Sequence, residues 1–271
     1  MSGGTAPRPA GEDRATSGAV AAAPSANRER LLKLASKLDE KRFEFETAKD
    51  ERAIFAFTYV EITRSLAANI DRFPFQKPEW IVALAEAFAG QYFAALAGPP
   101  SESWCIVFTA IRRRSTSVAE NMLFSITAHI VHDLPLALSI LQEQGALDPH
   151  IGDFHAMNEV LAKNIVSISE SVTKRYEPFF AWLENFQQHE VQILTNYGFR
   201  LARGMAWYNM VRLTSSDKQA TLDALDKNVK TVIDSIRKPS YFSIAIIFRL
   251  LRLIASWTKR WPKAMPARTS W

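Results

Sequence analysis

The stretch Asn121-Met-Leu-Phe-Ser-Ile-Thr-Ala-His-Ile-Val-His-Asp-Leu-Pro-Leu-Ala-Leu138 decides the fold. Apolar residues crowd it without any two-residue alternation. Its polar groups His129, His132 and Asp133 stand three and four residues apart, a spacing that puts side chains on one helix face. A segment apolar on most sides that carries a small polar cluster reads as a buried central helix, expected from about Thr116 to Gln144. Pro135 falls inside this pattern. It removes one backbone hydrogen bond and frees the carbonyl of Val131, so a distortion is expected beside His132 and Asp133. After a Gly/Asp/Pro turn the helical pattern resumes as Gly152-Asp-Phe-His-Ala-Met-Asn-Glu-Val-Leu161, and four of the five histidines (His129, His132, His150, His155) fall in this region.

The flanking chain has the same period. Leu31, Leu34, Ala35 and Leu38 line one face of a helix expected from Asn27 to Thr47, and a second helix is expected from Glu51 to Ile70. Phe73-Pro-Phe-Gln-Lys-Pro78 must turn, and Pro78 suits the first turn of a helix reaching Leu96. Ser101 is a candidate N-cap for the helix bearing Trp104, Phe108 and Ile111. Further helices are expected from Asp153 to Val172, from Pro178 to Leu213, after Ser215-Ser-Asp217, and from Pro239 onward. The expected fold is all-α: one multi-helix bundle over 27–236, a disordered leader over 1–26, and a basic amphipathic helix and tail over 237–271.

Composition bounds the function classes. The 271 residues are 48% hydrophobic and carry a formal charge of +5. From Arg237 onward eight basic residues meet no acidic one, so the rest of the chain is net acidic and the basicity belongs to the tail. That distribution argues against nucleic-acid binding. The single cysteine, Cys105, excludes an internal disulfide. It lies in Trp104-Cys-Ile-Val-Phe108 and is expected in the core of a protein from a reducing, cytoplasmic compartment. No run of eighteen uncharged apolar residues marks a membrane-spanning helix. In the tail, Arg249, Arg252, Ser256, Lys259 and Lys263 make a narrow basic stripe on an apolar helix with Trp257 and Trp261 near its end. An interfacial helix has this pattern, and so does a last core helix with snorkelling cations.

The polar cluster admits three readings. His129, Asp133, Asp153 and His155 could bind zinc or iron as nitrogen and oxygen ligands. Without a metal, His129 could act as general acid or base, oriented by Asp133 or Asp153 and assisted by Asn158. Tyr92, Trp104, Phe124, Phe154 and Trp207 would then wall an apolar pocket, with Arg203 beside Trp207 as a clamp for an anionic group. In the third reading the cluster only pins helices together, and Asp153 caps its own helix. The expected function is an enzyme acting on a hydrophobic, lipid-, terpenoid- or polyketide-like molecule. The alternative is a non-catalytic helical lipid-binding scaffold that docks at a membrane surface through its tail.

Ala128-His-Ile130, Asp133-Leu-Pro135, Asp153-Phe154 and Asn158, in this order, resemble the pattern of an uncharacterised bacterial all-helical family known as domain of unknown function 5995. Trp80, Phe88, Tyr92-Phe93 and Trp104 extend the resemblance, which covers roughly Phe55 to Leu213. Thr127 stands where the family pattern has Asn. The resemblance implies the fold and the location of a site; it implies no reaction.

Overall fold

The computed structural model describes residues 25–113, 116–143, 150–177, 188–215 and 217–238, with backbone alone for 188–197 and 215. The expected leader and basic C-terminal helix, with Arg249, Arg252, Trp257, Lys259 and Trp261, lie outside the described residues, apart from 25–26 and 237–238. So do the start of the helix expected at Pro178 and the helix expected at Pro239.

The described chain is all-α, as its periodicity predicts. Helix α1 (Ala26–Thr47) is capped by the Ser25 hydroxyl, which accepts the Arg28 amide, and it buries Leu31, Leu34, Ala35 and Leu38. Helix α2 (Arg52–Asn69) returns antiparallel after a tight turn in which Lys49 takes a positive φ of 53°. Helix α3 (Pro78–Ala97) has its proline in the first turn, where no amide partner is lost. Helix α4 (Glu102–Arg112) is capped by Ser101.

Helices α5 (Val118–Ala128) and α6 (Leu134–Glu143) form one rod joined by a π turn, His129–Asp133. Its start is fixed by a capping box, in which Ser117 and Glu120 each accept the other's backbone amide. Helix α7 spans Ile151–Tyr176, α8 spans Gln188–Ser215, and α9 (Lys218–Arg237) is capped by Asp217.

Two apolar clusters make most of the core, and the rod passes through both. Phe124 and Ala128 belong to the cluster built with α1, α2, α3, α4 and α9. Ile130, Leu134, Ala137, Leu138 and Leu141 belong to the cluster built with α3, α7 and α8. The π turn is therefore held between them, with His129, Ile130, His132 and Asp133 buried and Val131 partly exposed.

One expectation needs correction. Cys105 is exposed, because Ser103, Trp104, Val107, Phe108, Ala110 and Ile111 turn the other face of α4 to the core; an apolar run on a short helix still points one residue in each turn outward. Two helices, Pro78–Ala97 and Val118–Glu143, are long and apolar enough to cross a membrane once two acidic or basic residues are allowed in an eighteen-residue window. More than half of the second such window is buried inside the molecule, as in a core helix.

Candidate functional site

The site grows out of the π turn. Pro135 has no N–H for the Val131 carbonyl, and the chain accommodates it one turn earlier: the Leu134 amide reaches back five residues to the His129 carbonyl. The widened turn brings Asp133 under His129. The Asp133 carboxylate then accepts three side-chain donors. His129 Nδ1 lies 2.8 Å from Oδ2, the Trp104 indole N–H donates to the same oxygen at 2.9 Å, and His132 Nδ1 lies 2.8 Å from Oδ1. His129, His132 and Asp133 are all buried. Beyond them, His132 Nε2 faces Asp226 Oδ1 at 3.8 Å, and Asp226 in turn accepts the Ser103 amide and hydroxyl.

Aromatic rings close around the His129 imidazole. Phe88 stacks on it in parallel at 3.6 Å, Tyr59 meets it at 4.8 Å, Phe55 at 5.6 Å and Tyr92 at 6.1 Å. Phe88 is the partly exposed member, while Phe55, Tyr59 and Tyr92 are buried. On the rings of this box three polar atoms are buried without a hydrogen-bond partner among the described residues: His129 Nε2, the Tyr59 hydroxyl and the Tyr92 hydroxyl.

Electrostatics assigns the protons. Burial pushes the His129 pKa below that of a free imidazole and outweighs the opposing pull of Asp133. For Asp133 burial works upward, but the hydrogen bonds from His129 and His132 win and hold the carboxylate below its usual range. The pair is a neutral imidazole on an ionised carboxylate, with Nδ1–H donating to Asp133 and a bare lone pair on Nε2. Tyr59 and Tyr92 are both pushed up, chiefly by burial, and stay as neutral phenols.

The residues expected from sequence divide into separate places. His129, Asp133, Trp104 and Tyr92 meet as described. Asp153 does not cap its own helix, which begins at Ile151; its two oxygens accept the Gln76 and Lys77 amides at 2.8 and 2.7 Å, tying α7 to the turn before α3. Asn158 accepts Arg203 Nε at 2.6 Å, and Phe154 and Trp207 pack on each other beside it. Phe124 is fully buried in the α1–α5 core. No hydrogen bond joins Asp153 or Asn158 to His129 or Asp133. His155 is exposed, and among the described residues no three His, Cys, Asp or Glu side chains gather as a metal-ligand set. The set His129, Asp133, Asp153 and His155 thus fails as one site. Asp133 spends its oxygens on the two imidazoles and the indole, and Asp153 spends its own on backbone amides.

The box itself was partly missed. Phe55 and Tyr59 on α2, like Phe88 and Tyr92 on α3, are aromatic pairs at i,i+4, which puts each pair on one helix face. That spacing is visible in the sequence, but the same spacing serves any core.

A family model described as a family of unknown function, DUF5995, matches residues 32–239. No curated protein and no solved structure matches the chain.

Proposed function

The chain belongs to this family of unknown function, DUF5995, and from that premise we propose that it binds an apolar small molecule carrying one hydroxyl, which donates to His129 Nε2. The carrying observation is the trio of buried, unpartnered atoms on His129, Tyr59 and Tyr92. Buried polar atoms nearly always find partners, so three orphans on neighbouring rings ask for a ligand that supplies them.

In the enzymatic form of this reading, His129 takes the substrate's hydroxyl proton on Nε2. Asp133 stabilises the imidazolium that results, and Trp104 and His132 hold the carboxylate in place. A neutral imidazole is the protonation state a base needs. Phe88, stacked on the imidazole and partly exposed, is the side chain that an entering ligand would displace.

A titration with 4-ethylphenol against ethylbenzene, followed by 15N NMR of the His129 ring, tests it. The phenol should shift the Nε2 resonance and bind at least about tenfold tighter than the hydrocarbon, the worth of one buried hydrogen bond. His129→Phe should erase that preference. Equal binding of both compounds, or a silent Nε2, would sink the reading.

A second reading, a non-catalytic scaffold that docks on lipid, draws support from Leu201, Met205, Tyr208 and Val211, which form an exposed apolar stripe along α8. The basic stripe of Arg249, Arg252 and Lys259 with Trp257 and Trp261 would add to it. Flotation with anionic vesicles, lost on Arg249→Glu/Arg252→Glu, is its expected result.

A further inference from the structure

A second polar cluster lies between α7 and α8, away from the aromatic box. Arg203 is buried, and its guanidinium is surrounded by neutral acceptors. Nε donates to the Asn158 side-chain oxygen at 2.6 Å, Nη2 donates to the Phe154 carbonyl at 3.0 Å, and the Phe154 ring lies 4.2 Å beneath the cation. No carboxylate pairs with Arg203 among the described residues. Its neighbour one turn away, Arg200, does have one, in Glu159. A cation taken out of water without a counter-charge is costly, and Arg presents a planar fork suited to a carboxylate.

Asn158, the residue that Arg203 holds, also lines a small hollow between α7 and α8, more enclosed than open. Leu161, Ala162, Ile165, Phe199 and Arg200 complete its walls. The surface of the hollow is almost wholly apolar, and behind its Asn158 wall lies the Arg203 guanidinium, which has no carboxylate partner among the described residues. A polyanion would need several donors and would find apolar walls instead. An uncharged hydrophobe would leave the guanidinium unanswered.

We propose that Arg203 and Asn158 form the head of a binding site for a carboxylate carried on a short apolar skeleton. The carboxylate displaces the Asn158 oxygen from Arg203, accepts the guanidinium fork, and takes a further hydrogen bond from the Asn158 amide nitrogen. The carbon skeleton lies against Leu161, Ile165 and Phe199. Burial brings the Arg203 pKa down to about 10, which leaves the side chain charged at neutral pH and ready for such a partner.

The test is calorimetric titration of the full chain with hexanoate, 1-hexanol and inorganic phosphate. Hexanoate should bind, at least tenfold tighter than hexanol or phosphate. Arg203→Met, which keeps the stem and deletes the charge, should lose that advantage, while His129→Phe should leave it intact, so the result is independent of the phenol test above. Asn158→Asp supplies an internal carboxylate at the same atom; this variant should fold, melt higher than the parent and no longer take hexanoate. Hexanoate and hexanol binding alike, phosphate matching hexanoate, or either site variant keeping full hexanoate affinity would overturn the proposal.

Discussion

At the scale of single residues the protein's chemistry is concentrated in Asp133. One carboxylate answers an indole and two imidazoles, and its charge is what makes three buried donors tolerable. This arrangement sets a pH dependence whose sign can be worked out. His129 has a lowered pKa in the folded chain, so on acidification the unfolded chain takes up its proton first, and stability falls from about the free imidazole value of 6.5 downward. Asp133 is also lowered, so its contribution is present above the unfolded value of 3.8 and is lost as the pH drops through its folded value. Urea midpoints measured from pH 7.5 to about 2 should therefore decline in two stages, the second of them below pH 4. His129→Gln should flatten the upper stage and also shift the lower one, because the His129 hydrogen bond helps hold Asp133 down; an unchanged slope between pH 6.5 and 5 in that variant would contradict the assignment. The two histidines were legible as neighbours of Asp133 from their spacing. That both would turn Nδ1 to the same carboxylate was not, because adjacent residues such as His132 and Asp133 diverge on a regular helix.

At the scale of elements the decisive object is the rod from Val118 to Glu143. Its apolar flanks bury it, its capping box fixes where it begins, and Pro135 forces the irregularity that becomes the site. The distortion itself could be read from one proline in a helical run. Its form could not: a kink and a π turn both answer a missing N–H, and the structure takes the wider turn. Ser117→Ala should destabilise the protein by about 1 kcal/mol in chemical denaturation, the usual worth of an N-cap hydroxyl. A loss below a few tenths would mean that tertiary packing alone holds this end of the rod.

Across the whole molecule, long-range ties decide which polar residues are free for chemistry. Glu46 on α1 accepts Arg175 and Tyr176 of α7, Asp226 on α9 holds the start of α4, and Asp153 on α7 holds the turn before α3. Asp153 thus has a structural task. Asp153→Asn, which turns an acceptor for two amides into a half-mismatched partner, should cost about 1–3 kcal/mol of stability. It should leave the preference for 4-ethylphenol over ethylbenzene unchanged. A stable variant that lost the preference would return Asp153 to the ligand site.

Periodicity, capping residues and proline positions, all local properties of the chain, determined the all-α class, most helix ends and the central place of His129 and Asp133. Tertiary structure alone decided that Asp153 and Asn158 go elsewhere, that Phe55, Tyr59 and Phe88 enclose the imidazole, and that Arg203 is buried with no carboxylate partner among the described residues. The reason is geometric: spacing along one helix fixes which side chains share a face, whereas the rotation and offset of one helix against another depend on packing across the whole core.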